Sequence, residues 1–401
     1  MARFRVSPSD RREAARALRG LVGTDPVKAL AKARVLCGAS DDTLGLIRVL
    51  QRDREWAERY AEELSPGLLT AAADTLARGT DAPALCAVGV ASRVEIPRSE
   101  SAGWLACMML GALVQEREDA PFVDAERLLA STDRPEQAKL QCLLEAFRAD
   151  VDWTGTLVIE RRVGAARSAA EWAADTTPLG HFDVHDDGVI DDEEGCVQAD
   201  FANAFLGGGV FHGGCVQEEI RFSVCPELCL GMLVSPRMRD DEAILLEGAA
   251  RLAESSGYAG TLRHAGPRDT SDDRPDVGVL AVDALHFRRR GAPAQWQAEA
   301  CLREMGKLRA GFGDDWGTFA TGNWGCGAFG GDPRLKSLLQ WLAASASGWG
   351  IRYFTFGDAR VESLAETVAA LRGRTVGQLW QAVVRALPAG ESGFLKAVLR
   401  R

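Results

Sequence analysis

The chain has 401 residues, 46% of them hydrophobic and 26% charged, the composition of a soluble globular protein long enough for two or three domains. Its net charge of −10 excludes the broad basic surface used for general nucleic-acid binding, and no apolar run approaches the ~20 residues that span a bilayer. Ten cysteines without framework spacing fit a reducing, cytoplasmic compartment, and the excess of Arg over Lys points to a GC-rich bacterial genome. The first twenty residues, MARFRVSPSDRREAARALRG, carry charge with no apolar core after them, so they do not read as a secretory signal. Residues 8–90 alternate amphipathic helical stretches with breaks; Ser9-Asp10, Asp41-Asp42 and Ser65-Pro66 are candidate helix starts. A helix opening at Ser99-Glu100 carries an apolar face of Trp104, Leu105, Met108, Leu110 and Leu113 that must be buried. Asp133-Arg134-Pro135 opens another that runs through Phe147. The character changes at Thr154–Glu160, a strand by its β-branched content. Strands at Val277–Ala281 and Arg352–Phe356 then alternate with helices at Ala294–Ala310, Pro333–Ala346 and Val361–Leu371, while residues 264–276 read as a loop-like insertion. The pattern predicts an all-helical accessory region over residues 1–150 and a layered α/β domain over 151–401.

The most informative stretch is DFANAFLGGGVFHGGCVQEEIR, residues 200–221. Gly207, Gly208 and Gly209 free the backbone for positive φ and close approach, and a run of exposed N–H groups suits an anion such as a diphosphate. Gln217-Glu218-Glu219 follow one short loop later, placing carboxylates for acid/base work beside that cradle. Neighbouring residues on an extended backbone point to opposite faces. They cannot flank one glycosidic bond at ~5–9 Å as paired carboxylates do, so only one of the two is expected to transfer the proton.

This stretch resembles the signature of the poly(ADP-ribose) glycohydrolases, a triple glycine, a short loop and Gln-Glu-Glu. Three further blocks resemble the family in the same order: Asp283–Arg289 (DALHFRR), Ala320–Asp332 (ATGNWGCGAFGGD) and Tyr353–Asp358 (YFTFGD). The likeness runs from about residue 97 to about residue 390. It implies a macrodomain-like three-layer α/β/α fold around a mixed sheet, and hydrolysis of ribose–ribose O-glycosidic bonds in poly(ADP-ribose). The partners it implies are the polymer and ADP-ribosylated proteins, with ADP-ribose as product; it requires no cofactor, metal, nucleic acid or membrane, and a monomer is expected. If the chain is eukaryotic, the expected compartment widens to the nucleus and a role in the DNA damage response. By the same resemblance Glu219 is the acid/base and Glu218 positions the ribose. Asn203 bonds the ribose beside the scissile bond, Asp200 lines the adenine side and Gln217 touches an adenine edge. Tyr258 and Phe356 hold the adenine, and the loop containing Asn323, Gly325, Gly327, Ala328 and Phe329 takes the diphosphate and distal ribose. A macrodomain that binds ADP-ribose without cutting it is the alternative, and the order of cleavage along the polymer stays open.

Two constellations compete with this reading. Asp183–Glu194 nearly fits a calcium loop, with acids at positions 1, 5 and 12 and Gly188 at 6, but His185 stands at position 3 and no helices flank it. A β-hairpin turning at Asp186-Asp187-Gly188 is expected instead. His212, Cys215, Cys225 and Cys229 lack a Cys-x-x-Cys knuckle, so buried structural cysteines are expected rather than zinc. Residues 1–90 match none of the family blocks and are not expected to supply catalytic groups.

Overall fold

The computed structural model describes residues 2–79, 83–269 and 277–400. Twelve strands occur in chain order: β1 (Ala2–Phe4), β2 (Ser92–Pro97), β3 (Leu113–Gln115), β4 (Thr156–Val163), β5 (Phe182–His185), β6 (Cys196–Asp200), β7 (Glu242–Glu247), β8 (Ala253–Ser256), β9 (Arg263–Pro267), β10 (Val277–Ala281), β11 (Thr318–Gly322) and β12 (Gly350–Phe354). Eight form one sheet in the order β2-β4-β7-β10-β6-β11-β12-β5. From β10 to β5 neighbours are parallel; β2, β4 and β7 add antiparallel pairs at the other edge. β1 pairs with β3 and β8 with β9 in two small ribbons.

Both faces of the sheet are covered, and the strands alternate accordingly. Ile244 and Leu246 of β7 enter one core while Ala243 and Leu245 enter the other, the period-2 alternation of a pleated strand. The second core is built by C-terminal helices, including Ala298–Gly311, Pro333–Ala346 and Val376–Ala386. The first is built largely by residues before 150, so the N-terminal region is one of the three layers. The expected apolar face at Trp104, Leu105, Met108, Leu110 and Leu113 is buried there. The helix that carries it, Ser101–Met109, is buried nearly all round. Gly103 makes this possible: a Cβ there would overlap Thr75 of the neighbouring helix Ser65–Arg78.

Several expectations change. The region before 150 is not all helical, since β1, β2 and β3 lie in it, and β2 pairs with β4 as the edge of the main sheet, so a boundary at 150 cuts through that sheet. β2 is short and flanked by helical stretches, which hides it from a periodicity argument. The expected hairpin at Asp186–Gly188 is not formed: β5 and β6 are separated in the sheet by β11 and β12, and the acidic segment crosses over rather than turning back. Of the insertion 264–276, residues 270–276 lie outside the described residues, and 263–267 form β9. Among the described residues no helix is long and apolar enough to cross a membrane.

Residues 2–90 are not an appendage. Leu18, Leu68, Leu69 and Leu76 are fully enclosed in the first core. Arg34 forms a buried ion pair with Asp124 (3.1 Å), and Arg59 reaches the buried Glu145 (2.7 Å). Each enclosed leucine represents about 1.5–3 kcal/mol of burial, so losing four would rival the whole stability of a typical domain, about 5–15 kcal/mol. A chain beginning at residue 91 is therefore expected to be insoluble or to unfold without a cooperative transition; solubility and a thermal melt of the truncated chain check this.

Candidate active site

The parallel strands β6, β10, β11 and β12 end on one side of the sheet, the side on which open α/β sheets bind ligands. Ala320 is level with Gln198, so extending that register puts Gly322 at the end of β11 level with Asp200 at the end of β6. Two loop systems rise from these adjacent ends.

The first leaves β6 through Phe201 and Asn203, makes the glycine turn, and enters the helix Gln217–Val224. Glu218 and Glu219 occupy its first turn, where the helix dipole favours negative charge. Both side chains fold back onto the turn. Glu218 accepts from the N–H groups of Asn203 (2.8 Å) and Gly207 (2.7 Å). Glu219 accepts from Gly209 N–H (2.9 Å) and Val216 N–H (2.9 Å), the second being the reciprocal half of a capping box. Gln217 spans the strand end, accepting from Phe201 N–H and donating to Ala199 C=O. Asn203 Oδ1 accepts from Phe205 N–H (3.0 Å). Gly208 has φ +49°, and a Cβ on it would stand 2.5 Å from Glu219 Oε1 and 2.6 Å from Glu218 Oε2, so both carboxylates converge on this residue. Adjacent glutamates on a helix diverge less than on a strand, so the extended-backbone expectation for this pair does not apply.

This geometry corrects the reading of the triple glycine as a free phosphate cradle. Gly207 and Gly209 donate to the two glutamates, and Gly208 donates to Phe205 C=O (3.1 Å). The glycines hold the carboxylates.

Three acidic groups meet here with little compensation. Asp200 is fully enclosed, and neither carboxylate oxygen has a hydrogen-bond partner among the described residues. Burial, with the charge of Glu219 beside it, raises its pKa far above the carboxylate range. Burial and the Asp200 and Glu219 charges raise Glu218 in the same way, against the pull of its two N–H donors. Tyr258 lies against this group: Ala259 N–H bonds Cys215 C=O (3.1 Å), and the phenol pKa is raised by burial of the hydroxyl and by Glu219, while the Gln217 N–H opposes the shift. The residue as a whole is 54% exposed.

The second loop system leaves β11 at Asn323. Asn323 is a brace rather than a free contact: its Nδ2 donates to Thr355 C=O (2.9 Å) and its Oδ1 accepts from Tyr353 hydroxyl (2.8 Å), tying β11 to β12. Gly325 and Gly330 have positive φ, and Cβ atoms there would meet Ala284 and Arg288. The DALHFRR block thus supports this loop, and His286 stacks on Phe329 at 4.6 Å. At the crest Gly327 and Ala328 are exposed, and the N–H groups of residues 327–329 have no hydrogen-bond partner among the described residues. Phe356 closes the other side: it is 48% exposed, has φ +52°, and lies over Gly322, whose Cβ would be 2.6 Å from the ring. Among the described residues, Phe356 and Ala259 are the two non-glycine positions with positive φ. One is an exposed aromatic and the other follows one. Strain of about 1–3 kcal/mol retained at such positions marks functional loops, a signal that a sequence does not carry.

Among the described residues no group of three His, Cys, Asp or Glu side chains is arranged to hold an ion, and Cys225 and Cys229 are buried.

A family model described as "Poly (ADP-ribose) glycohydrolase (PARG), Macro domain fold" matches residues 169–363. "Poly(ADP-ribose) glycohydrolase 1" of Arabidopsis thaliana is 30% identical over 399 residues, covering 73% of this chain and 71% of that protein. The chain belongs to the poly(ADP-ribose) glycohydrolase family. It is an enzyme of the glycosidase class. "Probable poly(ADP-ribose) glycohydrolase 2" of the same plant is 31% identical, covering 62% of this chain and 59% of that protein. A solved poly(ADP-ribose) glycohydrolase from Thermomonospora curvata matches at 17% identity and a TM-score of 0.36, covering 67% of this chain and 98% of that one.

Two predictions follow from the buried acids and the turn. Gly208→Ala should reduce release of ADP-ribose from the polymer by about 10²-fold or more, the penalty for a misplaced catalytic group; a folded variant of wild-type rate would detach the turn from catalysis. Asp200→Asn should raise Tm at neutral pH. A carboxyl whose folded pKa is raised destabilises the fold as pH rises above its unfolded value, ~4, and has no such effect below both values. The gain should therefore grow from pH 4 to pH 8, and a gain that is flat or reversed across that range would contradict the raised pKa.

Proposed function

We propose that this chain hydrolyses the ribose–ribose O-glycosidic bonds of poly(ADP-ribose), with Glu219 as general acid/base. The observation that carries the proposal is the pair of glutamates bound to the glycine turn. Glu219 is the more open of the two, 7% exposed against 2% for Glu218. Each of its oxygens accepts one backbone N–H and keeps a lone pair for the reacting centre. In the proposed cycle Glu219 protonates the leaving ribose oxygen, then removes a proton from the water that attacks the anomeric carbon. Glu218 and Asn203 orient the ribose hydroxyls. Tyr258 and Phe356 offer exposed ring faces for adenine, with Asp200 and Gln217 beneath the adenine side, and the free N–H groups of 327–329 face the diphosphate. The substrate is the polymer, free or on ADP-ribosylated proteins, and the product ADP-ribose; a cytoplasmic monomer is the state proposed.

The test is Glu219→Gln. Polymer shortening should fall by about 10²–10⁴-fold, while ADP-ribose affinity stays within a few fold of wild type. Glu218→Gln should be impaired as well, through positioning. A wild-type enzyme that binds ADP-ribose but never shortens the polymer would favour the binding-module alternative. Activity should persist in EDTA; loss restored by zinc or calcium would introduce a metal into the mechanism.

A further inference from the structure

The glycine turn has an outer side as well as the side that faces the glutamates. Its carbonyls from Gly209, His212 and Gly214 converge on a single group, the ammonium of Lys139, at 2.9 Å for Gly209 and 2.5 Å for His212, with Gly214 as the third acceptor. Lys139 is fully enclosed and lies on the helix Arg134–Leu144, in the N-terminal layer and outside the family-matched residues 169–363. All three ammonium donors are used, so the charge is solvated by the turn in place of water. Gly209 is gripped from both sides: its N–H holds Glu219 Oε1 and its C=O accepts from Lys139. Gly214 is equally confined, because a Cβ there would be 2.5 Å from the Glu219 carboxyl carbon. Burial lowers the basicity of Lys139, while Cys215, Glu219, Glu136 and Cys229 act to keep it protonated.

We infer that Lys139 is a positioning residue for Glu219, by which the N-terminal layer sets the turn that aims the acid/base. It touches no substrate atom and acts through Gly209 and Gly214. The link to turnover rests on the proposed function, whereas the link to the turn rests on geometry alone.

The experiment compares full-length wild type with Lys139→Met, Lys139→Gln and the control Leu140→Ala. Leu140 is enclosed in the same helix and has no group to offer the turn, so its loss destabilises the core without touching the carbonyls. For each protein, kcat and KM for polymer shortening, ADP-ribose Kd and amide hydrogen exchange over residues 207–216 are measured well below its Tm. Lys139→Met should lose kcat by about 10²-fold with ADP-ribose Kd within a few fold, and its 207–216 amides should exchange faster. Lys139→Gln, with two donors, should recover part of both. Leu140→Ala should keep kcat and protect the turn. Wild-type exchange of the turn in Lys139→Met overturns the inference, and so does an equal kcat loss in Leu140→Ala. Failure of both Lys139 variants to fold assigns the residue to stability and overturns it as well. If wild type proves unable to shorten the polymer, the proposed function fails, and the exchange data alone decide whether Lys139 holds the turn.

Discussion

The rest of the site depends on the bonding of two glutamate side chains to the backbone of a glycine turn. Carboxylates buried at 2% and 7% exposure beside a third enclosed acid would repel one another and the low-dielectric interior. Backbone N–H groups are the compensation available without introducing a salt-bridging cation that would neutralise the acids. Four such donors, from Asn203, Gly207, Gly209 and Val216, fix both carboxylates, and positive φ at Gly207 and Gly208 lets the turn wrap closely enough to present them. Asp200 receives none of this. Burial and the Glu219 charge push its pKa up, and buried Arg221 opposes that shift.

The turn is itself suspended between two layers. Its inner face bonds the helix that follows β6, and its outer face bonds a lysine from the helix Arg134–Leu144. The first core includes residues as far apart in sequence as Ala2 and Ala281, among them Leu206, Val210 and Phe211 of the glycine turn and Leu140 beside Lys139, so the turn and the helix that carries Lys139 belong to one packing unit. Gly209 is the shared point, bonded to Glu219 through its N–H and to Lys139 through its C=O.

Much of this was legible in the sequence, because it rests on local signals. The bounds Val277–Ala281 and Pro333–Ala346 expected from the alternation of strands and helices coincide with the strand and helix observed. The helices expected at Ala294–Ala310 and Val361–Leu371 begin four and three residues later, after 3₁₀ turns, and the strand expected at Arg352–Phe356 lies two residues earlier, at Gly350–Phe354. The Gln-Glu-Glu motif and the second glycine loop were identified as site residues, and the structure places both at strand ends on one side of the sheet. What the sequence concealed is non-local. The partner of β2 lies some sixty residues downstream, and β5 and β6 are consecutive in sequence but three places apart in the sheet. Which N–H groups are free also depends on tertiary contacts: the three consecutive glycines suggest a cradle, yet folding commits them to Glu218, Phe205 and Glu219, while the N–H groups of 327–329 stay without a partner among the described residues. Asn323 became a brace for the same reason, since Tyr353 and Thr355 come within reach only when β12 pairs with β11.

This division of donors bears on how an acidic protein can take a polyanion. With a net charge of −10 and three acids at its centre, the site cannot rely on a positive field. Gly207, Gly208 and Gly209 have committed their N–H groups, so a diphosphate set against the Glu218–Glu219 carboxylates would put anion against anion. In the proposed reading, anion recognition by the separate loop from β11 keeps the phosphates away from the carboxylates and lets uncharged backbone donors meet them. The exposed rings of Tyr258 and Phe356 add contact area that no charge can repel, and the strained backbone at Ala259 and Phe356 holds them at the rim instead of in the core. In that reading, acid/base groups on one strand end, anion donors on the next and aromatics at the edges together give a polyanion several contacts without a basic patch.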